Sequence, residues 1–218
     1  MGAETPREIG EFSYFLGRMA GKERAAVETT GMLVIGVGLA GLGLLGLYDL
    51  ASLRALRGRG ALALAGYAVH ALALVLATVA FPAAPSSREW VGLGAVLAAV
   101  GGIWLVYVVI LYRPVRRTYR ENSAPLLSDE GPYALCRHPG LWGYLLLLAG
   151  LNLVRPSLPM VLAGLVWTLA DLAYIVLQDR YFFPRLFADY RTYSGYTPML
   201  LPNRRSWRRF RATLRIFS

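Results

Sequence analysis

The sequence predicts an all-α, polytopic membrane protein with about five transmembrane helices, and two observations lead to this prediction. Of the 218 residues, 56% are hydrophobic, and the mean hydropathy is +0.45. A water-soluble domain of this size rarely has such a composition, because its surface must be polar. The apolar residues also fall into long runs, and a membrane-spanning helix needs about 20 of them. We therefore expect a single membrane domain over residues 1–218.

The first three membrane helices are predicted from apolar runs that contain no Asp, Glu, Lys or Arg. Residues 31–48 are rich in Gly and Leu, and residues 60–81 form a second run. Residues 90–112 begin with Trp and end with Tyr, two residues that are enriched where a membrane meets water. Residues 30–112 are therefore expected to hold three membrane helices.

A C-terminal helical hairpin is predicted from two further apolar runs. Residues 141–154 and 158–177 are separated by only three residues. The first arm is short for a membrane-spanning helix. It therefore either crosses the membrane incompletely or is extended by the loop that precedes it.

Residues 1–29 precede the first apolar run and have an amphipathic pattern. Ile9, Phe12, Leu16 and Met19 recur at helical spacing, with charged residues between them. This pattern is typical of a helix that lies in the membrane interface. A flexible tail fits the same residues equally well, and both interpretations remain open.

The basic residues predict the orientation in the membrane. The net charge is +10; three Arg lie in the 51–59 loop, five in the 113–139 loop and nine from position 180 to 215, against six basic residues on the opposite side of a five-helix arrangement. Basic residues are enriched in cytoplasmic loops. We therefore expect the long loop and the tail in the cytoplasm and the N-terminus outside, as in a bacterial inner membrane. Four crossings would place the two most basic segments on opposite sides.

Several classes of site are disfavoured by the composition. Cys136 is the only cysteine, so an intramolecular disulfide is excluded, and no Cys or His spacing resembles a zinc site. Cys136 is expected to be a small buried residue rather than a reactive thiol. The tail 204–218 interleaves Arg with Trp207 and Phe210. We expect this tail to lie on anionic lipid headgroups rather than to bind nucleic acid.

Two ionisable residues fall inside the apolar runs, and each is a candidate functional residue for that reason. His70 lies in the middle of the second run, and Asp171 lies two-thirds along the last. For His70 we favour a structural role, in which the ring bonds a neighbouring helix. For Asp171 a structural role and a substrate-binding role are weighted equally.

The loop before the hairpin, residues 128–143, concentrates residues that suit a ligand. It contains two Pro and several Gly, and Gly lets a ligand approach the backbone closely. Arg137 offers a planar fork for a carboxylate or phosphate. His138 can donate or accept a hydrogen bond near neutral pH. A juxtamembrane turn with a basic anchor is the alternative interpretation of the composition.

A longer pattern in this loop resembles a known enzyme signature. Gly131-Pro132-Tyr133, Arg137-His138-Pro139 and Gly143 follow the G-P-Y-x-x-x-R-H-P-x-Y-x-G signature of the isoprenylcysteine carboxyl methyltransferase and phospholipid methyltransferase superfamily. Leu141 stands where the family usually has Tyr. Those proteins are membrane enzymes that use S-adenosylmethionine.

The second half of the family pattern also has a counterpart here. The family has an acidic pair followed by Arg, two Tyr three residues apart, and a tail that ends in Pro. Gln178 replaces the first acidic residue of the pair. The resemblance covers about residues 90–203, with the motifs inside 113–203. The matching residues are Gln178, Asp179, Arg180, Tyr190, Tyr193, Thr197, Pro198 and Pro202.

The resemblance implies a cytoplasmic cofactor site for S-adenosylmethionine and a lipophilic methyl acceptor, such as a small molecule, a lipid or a prenylated cysteine carboxylate. The aromatic residues would contact the adenine and the sulfonium. The residues assigned on this basis are Arg137, Asp179 and Arg180 for catalysis; Gly131, Tyr133, Arg137, His138, Pro139, Gly143, Tyr144, Gln178, Asp179, Tyr190 and Tyr193 for the cofactor; and Trp142 and Asp171 for the substrate.

Two other functions fit the same sequence. The first is a non-catalytic member of the superfamily that binds lipid or a partner, which the departures at Gln178 and Leu141 favour. The second is a membrane reductase of the sterol-reductase type, whose Arg-His-Pro region is similar but which usually has more membrane helices. A preference for NADPH over S-adenosylmethionine would distinguish the reductase.

Overall fold

The protein is an all-α integral membrane protein, as predicted. A computed structural model describes residues 6–84, 86–111, 127 and 129–214, and contains no strand within those ranges. Four helical stretches are long and apolar enough to cross a membrane, and Gly140–Val154 is a fifth, shorter apolar helix. The four longer stretches are Ala25–Leu53, Arg59–Val79, Arg88–Ile110 and Leu158–Leu186.

The N-terminal half consists of three helices. Helix α1, Pro6–Leu53, joins the predicted amphipathic segment and the first membrane crossing into one element. Helix α2, Arg59–Val79, follows a turn in which Gly58 has a φ of 74°, a conformation that glycine adopts without strain. Helix α3, Arg88–Leu105, continues as a π-helical segment to Leu111. The side chains of residues 6–20 lie outside the description, so the amphipathic face stays a prediction.

The C-terminal half begins with the short helix α4, Pro132–Leu135, and the predicted hairpin follows it. The hairpin consists of α5, Gly140–Val154, and α6, Leu158–Leu177, so its predicted bounds are confirmed to within one residue. Arg113, Arg116, Arg117, Arg120 and Ser128 lie outside the described residues. The remaining elements are a π-helical turn Gln178–Phe182 that continues α6, then α7 Phe183–Leu186, α8 Tyr190–Tyr196 and α9 Arg204–Leu214.

Helices α3 and α5 pack against each other along their whole length. A Cβ added to Gly101 would lie 2.5 Å from the carbonyl oxygen of Gly143, and one added to Gly150 would lie 2.5 Å from that of Gly94. Only glycine permits backbones to approach so closely. Because 101 pairs with 143 and 94 with 150, the two helices are antiparallel. Helix α5 therefore lies alongside α3 within the bundle, and its 15 residues span about 22 Å, less than the roughly 30 Å of a membrane's hydrocarbon core.

A second packing centre joins α1, α2, α5 and α6. Trp167 of α6 is fully buried and donates a hydrogen bond from Nε1 to the Ile35 carbonyl of α1 at 3.0 Å. His70 of α2 lies beside it, with Nδ1 3.0 Å from the Gly38 carbonyl and Nε2 2.9 Å from the Tyr144 hydroxyl. A carbonyl only accepts, so Nδ1 carries the proton. Both ring nitrogens are thus used to join helices, which confirms the structural role favoured for His70.

The helix connections place five helix ends on one side of the bundle. The end of α1 meets the end of α6, because the Tyr174 hydroxyl donates to Asp49 at 2.6 Å. The end of α3 meets the start of α5, because Trp104 Nε1 donates to the Pro139 carbonyl at 2.7 Å. Helix α2 starts on this side as well, after the short turn that follows α1. The residues of the predicted motifs all lie at or near this end.

Candidate functional site

A cavity of about 730 Å³ opens among the membrane helices and the loop that begins α5. Its walls come from α1, α2, α3, α5 and α6, and the turn at Arg137 to Pro139 and the helices α7 and α8 close its end. The volume lies within the range of about 300–1,000 Å³ that small-molecule sites occupy. The lining is predominantly apolar, with a small number of polar side chains. A cavity of this kind suits a ligand with both apolar and polar parts.

Arg137 and Asp179 form a two-pronged ion pair next to the cavity. Nε of Arg137 lies 2.8 Å from Asp179 Oδ1, and Nη2 lies 2.8 Å from Oδ2. The remaining nitrogen, Nη1, donates to the carbonyl oxygens of Ser194 and Thr197, each at 2.9 Å. All three guanidinium nitrogens are therefore engaged by the protein itself. Arg137 acts here as a junction between α6, α8 and the segment that follows α8.

The backbone around Arg137 is held by the segment after α8. The Arg137 amide donates to the Pro198 carbonyl at 2.9 Å, and the His138 amide donates to the Met199 carbonyl at 3.2 Å. Trp142 continues this contact, because its Nε1 donates to the Leu200 carbonyl at 2.9 Å. The two halves of the predicted motif thus join directly. Backbone hydrogen bonds connect these two segments, which lie about 60 residues apart in the sequence.

Two tyrosines of α8 support the same end of the cavity. The Tyr190 hydroxyl donates to Asp179 Oδ1, and the Tyr193 hydroxyl donates to the Tyr133 carbonyl at 2.8 Å. Burial raises the pKa of both tyrosines above its ordinary value, and the Asp179 carboxylate raises that of Tyr190 further. Both hydroxyls are therefore protonated donors at neutral pH. They fix the aromatic wall without adding charge to it.

His138 lies at the same end of the cavity, and its hydrogen bonding is incomplete. Its ring lines the cavity, stacks on Phe183 with centroids 5.6 Å apart, and its side chain is only 7% exposed. Nε2 is buried, makes no hydrogen bond within the described residues and faces Asp179 Oδ1 at 3.5 Å, which is long for a hydrogen bond. The imidazole therefore lies between the Asp179 carboxylate and the cavity.

A buried carboxylate on α1 also lines the cavity, and sequence reasoning missed it. Asp49 is 1% exposed, and its Oδ2 accepts hydrogen bonds from the Tyr174 hydroxyl at 2.6 Å and from the Gln178 amide nitrogen at 2.8 Å. The available signal was an acidic residue one position beyond the apolar run 31–48.

Asp171 lies deeper in the cavity than the other carboxyl groups. It precedes Gln178 by seven residues of continuous helix, which corresponds to about 10 Å along α6. Its side chain lines the cavity and has no hydrogen bond or ion pair with the residues that the structure describes. The polar residues of the candidate site therefore lie at two depths, and Asp171 lies at the deeper one, among the membrane helices.

The structure brings most of the predicted site residues to one place, but not all of them to the cavity surface. Arg180 is exposed, and Trp142 is 39% exposed on the outer face of α5. Asp179 lies behind Arg137 rather than on the cavity wall. Tyr133, Arg137, His138, Pro139, Tyr144, Asp171, Gln178, Tyr190 and Tyr193 line the cavity, whereas Gly131, Trp142, Gly143, Asp179 and Arg180 do not.

Helix α9 packs on the loop that precedes the motif. Arg209 pairs with Asp129 at 2.6 Å and stacks on Tyr196 at 3.8 Å. The Gly131 amide donates to the Thr213 hydroxyl at 3.2 Å. Trp207, in contrast, is 50% exposed on the outer face of the same helix. The tail is therefore part of the structure around the site.

Cys136 lies beside Arg137 but does not behave as a reactive thiol. It is 1% exposed. Burial raises the pKa of its thiol to about 11. The prediction of a small buried residue is confirmed. Within the described ranges, no group of three or more His, Cys, Asp or Glu side chains is arranged to hold a metal ion.

The comparisons with known proteins give one distant similarity. Over 137 residues, the chain is 31% identical to the cobalt-zinc-cadmium resistance protein CzcN of Cupriavidus metallidurans. The aligned region covers 59% of this chain and 58% of that protein, so the chain spans little more than half the length of this relative. No protein-family model matches the sequence, and no solved structure matches it significantly.

Proposed function

We propose that the protein is a membrane methyltransferase that uses S-adenosylmethionine and acts on a lipophilic acceptor. One observation carries the proposal: residues of both halves of the predicted motif line a single cavity. Tyr133 and His138 come from the first half, and Tyr190 and Tyr193 from the second. A juxtamembrane turn with a basic anchor would require no such convergence.

The residues around the cavity fit the chemical groups of S-adenosylmethionine. The tyrosine and phenylalanine rings at the end of the cavity suit the adenine and the positively charged sulfonium. The His138 ring lines the cavity and suits the amino-acid or ribose part. Asp49 supplies a carboxyl group at the same end. The fit therefore includes an aromatic wall, an imidazole and a carboxyl group.

Two of the predicted catalytic residues, Arg137 and Asp179, fit a positioning role, and the third, Arg180, is exposed and outside the cavity. Arg137 uses all three nitrogens within the protein, and Asp179 accepts from Arg137 and Tyr190. We therefore assign both as positioning residues that hold the His138 backbone and the Tyr190 ring. His138, Tyr190 and Tyr193 are the groups that would touch the cofactor.

Methyl transfer from S-adenosylmethionine mainly requires that the methyl donor and the acceptor are aligned and that water is excluded. S-adenosylmethionine, when bound, supplies a methyl group on a sulfonium. The protein residues would orient the two reactants and exclude water from them. The apolar helices around Asp171 form the deeper part of the cavity, from which a lipophilic acceptor can enter. On this proposal the site lies at the cytoplasmic face of a bacterial inner membrane, with the N-terminus outside.

A second candidate function is a non-catalytic lipid-binding protein. It is favoured by the predominantly apolar lining of the cavity and by Gln178, which is uncharged where the resembled family has an acidic residue. A role in metal resistance is a further candidate, since the relative is named for resistance to cobalt, zinc and cadmium. Growth of a deletion strain in these metals would test that role independently of any cofactor.

The proposal is tested by calorimetric titration of S-adenosylmethionine into the purified protein in lipid nanodiscs. We expect saturable binding, and about tenfold weaker binding in His138→Ala, because a buried hydrogen bond to the ligand is lost. Arg180→Ala is the matched control, since that side chain is exposed and outside the cavity, and it should bind as the unmodified protein does. Saturable binding of NADPH instead would favour the reductase. An absence of cofactor binding at millimolar concentration in folded protein would contradict the proposal.

A further inference from the structure

We infer that Asp49 of α1 provides the carboxylate of the cofactor pocket, in the place where Gln178 cannot. The inference rests on the proposed function and adds to it a residue from a part of the chain that the motif does not reach. It assigns Asp49 to the positively charged part of the cofactor, the ammonium or the sulfonium.

The balance of charge around Asp49 supports this assignment. The side chain is almost completely buried, and its hydrogen-bond donors, Tyr174 and Gln178, are neutral. No Arg or Lys nitrogen of the described residues lies within 4.0 Å of it. A buried carboxylate is costly unless a positive charge compensates it. A cation bound in the cavity that Asp49 lines would supply that compensation.

The identity of residue 178, a neutral Gln, also supports this assignment. The Gln178 amide nitrogen donates to Asp49 Oδ2 at 2.8 Å. Glu at this position would place two carboxylates at that separation, and the two could not both stay ionised. Gln therefore matches an acidic residue at position 49, so that one carboxylate remains at this point. The carboxyl group at this point of the cavity therefore comes from α1, where the resembled pattern would supply it from residue 178.

The position of Asp49 relative to the rest of the site also supports this assignment. It lines the same cavity as His138. Tyr174 and Gln178 hold the carboxylate from the side of α6, so its position is fixed before a ligand arrives. A preorganised carboxylate on one wall and the His138 ring on another can bind two ends of a zwitterionic group.

The experiment compares S-adenosylmethionine binding in the unmodified protein and three variants by calorimetry, with thermal unfolding of each cofactor-free protein in the same nanodiscs. Asp49→Asn removes the charge but keeps an oxygen that accepts from Tyr174 and Gln178. The reciprocal double variant, Asp49→Asn with Gln178→Glu, returns one carboxylate to the cavity. Glu89→Gln is the matched control, because Glu89 is exposed at the start of α3 and loses the same charge far from the cavity.

We expect Asp49→Asn to bind about 10- to 100-fold more weakly with an unchanged unfolding temperature, because a charge-assisted contact is lost. The reciprocal variant should recover most of the affinity, and it decides the question if Asp49→Asn does not fold. Equal affinity in Asp49→Asn and the unmodified protein would overturn this inference alone, as would a folded reciprocal variant that recovers no affinity. A lack of binding by the unmodified protein would overturn the proposed function as well.

Discussion

Arg137 and Asp179 hold each other through two parallel hydrogen bonds of 2.8 Å, 42 residues apart in the sequence. Their side chains are only 11% and 14% exposed. This pair is the reason why the turn before α5 and the end of α6 meet. Arg137, which the sequence suggested as a partner for a ligand's carboxylate, is instead paired with a carboxylate of the protein.

We therefore predict that Asp179→Asn destabilises the protein by about 3–5 kcal/mol, because removal of one partner leaves a buried charge unpaired. Thermal or denaturant unfolding in detergent measures this change. Asp129→Asn is the matched control, since the Asp129–Arg209 pair is 38% and 31% exposed. Loss of an exposed pair should cost less than about 1 kcal/mol. Equal effects of the two substitutions would contradict the assignment of Asp179 as a positioning residue.

Arg137→Lys tests whether geometry rather than charge matters at this junction. Lysine keeps the positive charge but cannot form the two-pronged pair and reach the Ser194 and Thr197 carbonyls at once. We expect a lower unfolding temperature and weaker cofactor binding together, because the His138 backbone is held by the same segment. An Arg137→Lys protein with unchanged stability and binding would show that the fork is dispensable.

The contact between α3 and α5 gives a prediction with a neighbouring control. In Gly101→Ala, the added methyl group would lie 2.5 Å from the Gly143 carbonyl and the Leu147 amide, so the helices must separate. We expect a loss of about 1–3 kcal/mol in stability. Gly102 has nothing within 4 Å of an added Cβ, so Gly102→Ala should be neutral or slightly stabilising. A loss in Gly102→Ala as large as in Gly101→Ala would argue against this packing.

Cys136 gives a prediction for pH. Its thiol has a pKa raised to about 11 by burial, from an ordinary value of 9.0. The thiolate is the reactive form, so iodoacetamide should modify folded protein very slowly at pH 8 and faster as the pH approaches 11. The folded state retains the proton more strongly than the unfolded state. Stability should therefore fall as the pH rises above about 9. Modification at pH 8 as fast as in unfolded protein would contradict this account.

The sequence predicts the membrane helices well, because apolar length is a local property. The hairpin bounds 141–154 and 158–177 agree with the observed helices to within one residue. The structural role of His70 was also predictable, since a lone polar group in an apolar helix requires a partner. The number of apolar residues did not reveal which helix α5 packs against. Its antiparallel glycine contacts with α3 show this.

The arrangement within the site was less predictable, because it depends on contacts between distant residues. The motif residues gather at one end of the bundle, yet Arg137 and Asp179 pair with each other. Trp142 donates to the Leu200 carbonyl and does not line the cavity. Asp49 lies immediately after an apolar run, where an acidic residue normally indicates the membrane surface. Only the packing of α1 against α6 shows that its side chain faces the cavity.

The central claim is that the cavity bounded by Asp49, His138 and Tyr190 holds the cofactor. A crystal structure of the protein grown in a lipid mesophase with S-adenosylhomocysteine, the demethylated product, tests it most directly. The account predicts density for the nucleoside against the tyrosine wall, with the amino-acid part between Asp49 and His138. Density for the nucleoside elsewhere, or a lipid chain in the cavity at saturating product concentration, would contradict it.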